Sequence, residues 1–484
     1  MPLDEITAIR QSQHRSSMLE PSPEQVIVWQ EAANLIIQKF LQKLPDHPTY
    51  QKTSPELFES FAIALAKADD VPAHLALIER HMGEAGLLTA GPGHLAFVPG
   101  GGLYIGAVAD HLAAAINSFS ADAFASPIAV KIHQEVIRNL ANMVGYPIEA
   151  WGDITSGGSQ ATLTAFWIAR DSRGIRPRDY DKTVVYAAEH THHCCEKALR
   201  ILFGADLIFR NVPLLDHGID PRALNELIRQ DREAGLKPFM IVATAGSTNL
   251  GRIDPITDIA EIAEAEHLWL HIDAAYGGFF MLCDELRSKF AGLEKADSIV
   301  LDPHKGLFLP YGCGAVLFRN GELLRQDKAH AGDYLQDRTD SDLRSPMDYS
   351  MELTRPFRSL RIWLAWQCHG REALAEALRE KHLLAVYCRK EFQKIPSIEC
   401  IGGLDLSIFA FSLKSADKVT TDLMNRALLQ AINQHPEVFL SSTLIDGSFV
   451  LRVAILSFRT HIETVDRLIA IIREESQKLL GATV

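Results

Sequence analysis

The sequence predicts an α/β protein. It should comprise a large domain with a mostly parallel, doubly wound sheet, an N-terminal helical segment and a smaller C-terminal α+β domain. Three observations carry this prediction. Between about residues 104 and 370, short runs rich in Val and Ile alternate with helical patterns, the rhythm of strand–helix–strand units. Those runs are continuously apolar rather than alternating, as strands covered on both faces are. After about residue 371 the rhythm changes to longer helices mixed with strands. The expected segments are therefore 1–103, 104–370 and 371–484.

In the first segment, residues 23–42 (PEQVIVWQEAANLIIQKFLQ) set Val26, Trp29, Ala33, Ile36, Ile37 and Phe40 at helical spacing, with polar residues elsewhere. This amphipathic helix can pack on its own chain. It equally fits an N-terminal run that needs a neighbour's surface, which points to dimerisation. In the second segment TVVYAA (183–188), FMIVATA (239–245), LWLHID (268–273) and SIVLD (298–302) read as buried parallel strands. Residues 221–235 and 255–266 read as crossover helices, and a doubly wound sheet binds its ligand at the carboxyl ends of its strands. In the third segment VFLSSTLI and SFVLRVAIL flank Asp446-Gly447, a strong hairpin signal.

Composition narrows the function classes. With 484 residues, 47% hydrophobic and 23% charged, the chain has enough apolar material for two or three domains with substantial cores. A net charge of −13 and pI near 5.8 argue against nucleic acid as a partner, because phosphate-backbone binding requires a basic face. No run of 18 or more uncharged apolar residues predicts a membrane span, and the start MPLDEITAIRQSQHR lacks a secretory apolar stretch. Seven cysteines without CxxC spacing predict reduced thiols and a cytoplasmic location.

The stretch EHTHHCCE (189–196) offers three imidazoles and two thiols, ligands that zinc and copper prefer. A closed zinc site draws ligand pairs two to five residues apart from two segments, and no second pair occurs. No resident metal is expected. Other strand ends offer a different use for the cluster. TSGGSQAT (155–162) sits between a short strand and a helical pattern, so Gly158 and Ser159 suit a phosphate at a helix N-terminus, although Gly-Gly-Ser serves equally well as a tight turn. Asp273 ends the strand LWLHID, where a carboxylate holds a metal, caps a helix or pairs with a protonated ring nitrogen. Lys305 follows SIVLD. By itself it reads as a surface charge, but it stands 32 residues (305 − 273) from Asp273, about one crossover unit. Lysine, aspartate and phosphate cradle together match the demands of pyridoxal 5′-phosphate. The lysine forms an imine with the cofactor, the aspartate keeps the pyridine nitrogen protonated, and His192 at the neighbouring rim can stack on the ring.

These motifs resemble the group II pyridoxal-phosphate decarboxylases, the family of aromatic-L-amino-acid and glutamate decarboxylases. TSGGSQATL, HTHHCCEKA, WLHIDAAYGG, ADSIVLDPHKG and FRSLRIW occur in that family's order along nearly the whole chain. The resemblance implies the aspartate aminotransferase fold type I and a homodimer with active sites at the interface. It implies catalytic roles for Lys305, His192, Asp273 and Tyr334. Tyr334 lies 29 residues (334 − 305) past the lysine in a polar stretch that reads as a loop, in the position of a proton-donating phenol. Relatives that oxidatively deaminate their substrate tend to carry phenylalanine there or to replace the histidine. Cofactor contacts are implied for Gly158, Ser159, His192, Ser247, Asp273, Ala275, His304 and Lys305. Substrate contacts are implied for Phe97, Val98, Arg452 and, from the partner subunit, Phe119. Two departures stand out: Asp302 where some aromatic decarboxylases have asparagine, and Gly100–Gly102 where animal enzymes have bulkier residues, which implies a wider substrate pocket.

The expected activity is decarboxylation of a small-molecule L-amino acid, aromatic in first place given Phe97 and Phe119, with acidic or diamino acids behind. Aldehyde synthesis by oxidative deamination is the alternative on the same fold, and a catalytically silent interaction protein is the alternative of another class.

Overall fold

The computed structural model describes residues 3–52, 71–81, 86–98, 100–325, 343–414 and 417–481. It divides into two compact units, Met1–Gly91 and Pro92–Val484. In the first, helices Leu3–Ser16, Pro23–Lys43 and Val71–His81 accompany a short antiparallel pair, β1 (Tyr50–Gln51) and β2 (Gly86–Leu87). Helix Pro23–Lys43 starts where local chemistry directs it. The Ser22 hydroxyl accepts the Gln25 N–H, the Gln25 side chain accepts the Ser22 N–H, and Pro23 takes the first helical position. Its predicted stripe is only partly covered: Val26, Trp29, Ala33, Ile36 and Phe40 are half-buried, while Ile27, Val28, Leu35 and Ile37 stay exposed.

In the second unit the apolar runs become a seven-stranded sheet. Its strands are β3 (Trp151–Thr155), β4 (Thr183–Ala188), β5 (Ile208–Val212), β8 (Lys237–Thr244), β9 (Trp269–Asp273), β10 (Ser298–Leu301) and β11 (Gly314–Phe318). A two-stranded ribbon, β6 (Leu214–Leu215) with β7 (Gly218–Ile219), interrupts the run. The spatial order is β3-β11-β10-β9-β8-β4-β5. Neighbours from β10 through β5 pair in parallel, and β11 alone runs antiparallel, to both β3 and β10. Helices Pro221–Glu233 and Ile256–Ala265 are the predicted crossovers. Asp220 caps the first of them by accepting the Arg222 and Ala223 N–H groups. Strands β4, β9, β10 and β11 are buried along their whole length, which accounts for their unbroken apolar sequences.

Helix Ser359–Gln393 is interrupted at Gly370 (φ 74°, ψ 166°), a backbone shape open essentially to glycine. Beyond it lies a four-stranded antiparallel sheet, β12 (Ile398–Ile401), β13 (Ile408–Leu413), β14 (Ser441–Ile445) and β15 (Ser448–Ala454), in the order β12-β13-β15-β14. The predicted hairpin turn at Asp446-Gly447 has both residues at positive φ, 50° and 69°, as a tight two-residue connection requires. Helices Lys418–Ile432 and Ile462–Gly481 complete this part. None of the described helices is long and apolar enough to cross a membrane.

Candidate active site

The carboxyl ends of five strands, β3, β4, β8, β9 and β10, surround one cavity of about 410 Å³. After β3 the chain turns through Gly157 at φ 154° and ψ 177°, again a conformation essentially confined to glycine. Helix Gly158–Ser172 starts there. Its first amides, at Gly158, Ser159 and Gln160, have no intrahelical acceptors and line the cavity. The Gln160 side chain accepts the Ser156 N–H at 2.8 Å and fixes the turn. Exposed donors at the positive end of a helix dipole suit a phosphate.

Asp273 ends β9 and is 8% exposed, its carboxylate accepting the Ala275 N–H at 3.1 Å. Burial and the negative charge of Cys194 raise its pKa, against the pull of Lys305. The parallel neighbour β10 leads into the turn Pro303–Gly306, which carries Lys305 to the same cavity. Lys305 Nζ lies 3.0 Å from Asp302 Oδ2. Burial works against the ammonium, but the carboxylates of Asp302 and Asp273 outweigh it and raise the lysine pKa. After β4, His192 caps helix His193–Phe203, its Nδ1 accepting the Cys194 N–H at 3.3 Å. A separate hydrogen bond to the Cys194 sulfur raises the His192 pKa, against desolvation.

Of the residues expected from sequence, the cavity gathers Val98, Gly158, Ser159, His192, Asp273, Ala275, His304 and Lys305. His304 is anchored by an Nδ1–H bond to the Cys313 carbonyl at 2.6 Å. Four others stand apart from this lining. Ser247 is buried and its hydroxyl accepts the Arg252 N–H at 3.1 Å, while Thr244, Gly246 and Thr248 of the same segment face the cavity. Phe97 is 60% exposed at φ 54°, a strained backbone for a bulky residue. Phe119 is half-buried in the connection between helices Tyr104–Ile116 and Pro127–Met143. Arg452 is buried on β15. It donates to Ser441 Oγ at 3.3 Å and keeps Nε and Nη2 without partners among the described residues, and burial pulls its pKa down to about 10. Tyr334 lies outside the described residues.

Gly100 has a reason other than pocket width: a Cβ there would sit 2.2 Å from the His304 carbonyl oxygen, so the chain must pass bare against the lysine turn. Sequence reasoning also missed how Asp302 is used. Its carboxylate packs under Gly158, where a Cβ would lie 3.0 Å from Oδ2. Lys305 neutralises it, and His304 Nε2 stands 3.7 Å away. Thr244 is a further cavity residue that the sequence reading misses, although it ends a recognisable strand.

The residues fit pyridoxal phosphate on grounds internal to the structure. The open amides at Gly158 and Ser159 offer an anion cradle, the Thr244 hydroxyl is buried at the cavity wall without a partner among the described residues, and Asp273 and Lys305 face one space from adjacent strands. A doubly wound sheet with that set at its carboxyl edge defines a fold-type-I pyridoxal-phosphate enzyme.

Residues 84–414 match the pyridoxal-dependent decarboxylase conserved domain. An aromatic-L-amino-acid decarboxylase of Bacillus atrophaeus is 33% identical over 379 residues, 77% of this chain and 78% of that protein. An L-2,4-diaminobutyrate decarboxylase of Rhizobium meliloti (strain 1021) is 33% identical over 369 residues, 73% of this chain and 72% of its own. In fold, the chain is similar to the crystal structure of Catharanthus roseus tryptophan decarboxylase in complex with L-tryptophan. The TM-score is 0.86 at 23% identity, and the match covers 95% of this chain and 99% of that one. The chain belongs to the pyridoxal-dependent decarboxylases and is an amino acid carboxy-lyase.

Proposed function

We propose that the substrate is an aromatic L-amino acid, converted to its amine and carbon dioxide. The observation carrying the chemistry is that Lys305 and Asp273 face one cavity from adjacent parallel strands, opposite the open amides of Gly158 and Ser159. The aromatic preference is supported by the Bacillus relative and by the exposed Phe97. Pyridoxal phosphate, when bound, supplies an electron sink for the pair left at the substrate's α carbon as carbon dioxide departs.

The chain's residues divide the remaining work. Gly158 and Ser159 hold the phosphate with backbone N–H groups. Asp273 keeps the ring nitrogen protonated, since a buried carboxylate favours an adjacent cation. With the cofactor bound, His192 and Ala275 would bracket its ring, Ser247 and His304 would support its surroundings, and the Lys305 amine would hold it. Arg452 receives the substrate carboxylate on its fork of donors. Val98 and Phe97 of the same subunit, together with the partner subunit's Phe119, shape the side-chain pocket. The Tyr334 phenol delivers a proton to the α carbon.

Release of amine across the common amino acids tests the reading. Aromatic substrates should lead, and a clear preference for diamino or acidic substrates would replace the aromatic assignment. The 33% identity to the diaminobutyrate enzyme makes diamino acids the specific second reading. Phenylalanine in place of Tyr334 should lower amine yield by about 10²- to 10⁴-fold, the span of a lost general acid. With dissolved dioxygen as oxidant and water as the oxygen source, aldehyde, ammonia and hydrogen peroxide should appear in its stead, and unchanged amine stoichiometry would remove the tyrosine from the mechanism. Arg452→Gln should raise KM about 10- to 100-fold, the worth of charged hydrogen bonds to a carboxylate, with a smaller change in kcat.

Asp302→Asn tests the lysine environment. Asp302 raises the Lys305 pKa, and only the neutral amine attacks an aldehyde, so the carboxylate slows capture of pyridoxal phosphate below that pKa. In the variant the pH profile of capture should move toward acid. A lysine pKa lower by about one would speed capture about tenfold at neutral pH, because the neutral fraction grows in that ratio. Stopped-flow absorbance of cofactor-free protein reads this directly, and coincident profiles would count against it.

The protein is further proposed to be a cytoplasmic homodimer. The exposed apolar residues of helix Pro23–Lys43 support the dimer, and seven free cysteines support a reducing compartment.

A further inference from the structure

We infer that in the cofactor-free protein Cys194, Cys195 and Asp273 bind one thiophilic divalent cation, zinc or cadmium, and that this ion and pyridoxal phosphate exclude one another. The exclusion rests on the role proposed above for Asp273. The two thiols are consecutive in the first turn of helix His193–Phe203, and their sulfurs and a carboxylate oxygen of Asp273 all lie within 4.8 Å of one another, all three residues buried. Bonds of about 2.3 Å at tetrahedral angles separate zinc ligands by roughly 3.8 Å, so small side-chain rotations close the site. Two sulfurs and one oxygen select a soft ion over magnesium or calcium.

The ligands are prepared for the ion. A helix N-terminus favours thiolate, and the hydrogen bond from the Cys195 thiol lowers the Cys194 pKa further. The same contact raises Cys195, which gives up its proton when the ion binds. Two thiolates and a carboxylate bring three negative charges, which a divalent ion and the neighbouring Lys305 ammonium offset. Cys194 and Asp273 both line the cavity, leaving a fourth position open to water. A disulfide is not the alternative, since consecutive Cα atoms stand about 3.8 Å apart, below the usual disulfide span of roughly 4.4–6.8 Å.

Ligand spacing hid the site in the sequence. The third ligand lies 79 residues (273 − 194) beyond the first, and it arrives only because β4 and β9 both flank β8.

Cofactor-free full-length protein titrated with cadmium should develop the ultraviolet thiolate-to-cadmium absorption, saturating at one ion per subunit. Cys194→Ser and Cys195→Ser should abolish it with circular dichroism unchanged, and Cys368→Ser, at an exposed position, should leave it intact. Asp273→Asn should weaken binding by more than the roughly tenfold that even outer-shell losses cost. Cadmium should also stop pyridoxal phosphate from building its visible absorption until a chelator is added. Should a serine variant misfold, alkylation of the unmodified chain serves instead: cadmium should protect Cys194 and leave Cys368 reactive. A protein that loads pyridoxal phosphate normally yet gives no cadmium band overturns the site and leaves the proposed function standing. A band that persists in Cys194→Ser, or forms equally in loaded protein, overturns it too. A protein that shows the band but never loads the cofactor overturns the exclusion together with the role of Asp273.

Discussion

Lys305→Ala is expected to lose at least about 10³-fold in kcat, roughly 4 kcal/mol of barrier. Alanine removes the amine that tethers the cofactor, and a tethered, oriented group carries an effective concentration that no free amine in solution matches. The tether is set rigidly. Gly306 has no room for a side chain, since a Cβ would fall 2.7 Å from Phe279 Cβ, and Phe308 just beyond is buried at φ 60°. The backbone around the lysine is therefore fixed before any ligand arrives, and the variant should fold normally while losing function. Borohydride, which makes a lysine–cofactor bond permanent, should label position 305 in the native protein and nothing in the variant. Label on another lysine, or a tenth of native activity retained, would move the assignment elsewhere.

Asp273→Asn comes second in expected size, at about 10²- to 10³-fold in kcat, the loss seen when one preorganised electrostatic partner is removed. Asparagine keeps shape and volume, and the Ala275 N–H can still be accepted, so the change isolates the charge. The pH dependence follows from the sign of the shift. Burial and Cys194 raise the Asp273 pKa, so this carboxylate takes up its proton at a higher pH than an ordinary aspartate. Cofactor binding that depends on the carboxylate should weaken as pH falls through that raised value, and the acid limb should vanish in the variant. Equilibrium titrations of cofactor-free protein monitored by visible absorption supply the comparison. An identical acid limb in both proteins would assign the limb to another group.

The sequence was most legible where function and strand register coincide. A β-strand that ends in Asp273 and another followed by Lys305 can be recognised from apolar runs alone, because burial on both faces removes polar alternation. Gly157 and Gly158 announce a close-packed turn, and the helix that starts there brings its open amides automatically. Legibility stopped where side chains meet across strands. The setting of Arg452 on β15, with Nε and Nη2 left unpartnered among the described residues, depends on neighbours far away in sequence, while the ion pair of Asp302 with Lys305 and the turned-away hydroxyl of Ser247, three and five residues from their partners, depend on rotamers. Strand β11 is equally apolar, yet nothing local tells that it runs against β3 and β10.

Residue order alone determined the strands and crossovers of the large sheet, the turns that glycine and proline permit, and the motif set that implies pyridoxal phosphate. These follow from short-range periodicity and backbone sterics, which a linear string encodes directly. Only the tertiary structure decided that strand β9 lies beside β10 and close to β4, and so which charges face one another in the cavity. Electrostatic fields fall off with distance in space and not with distance along the chain. For that reason Cys194, Asp273 and Lys305 acquire their protonation behaviour only once the sheet has assembled.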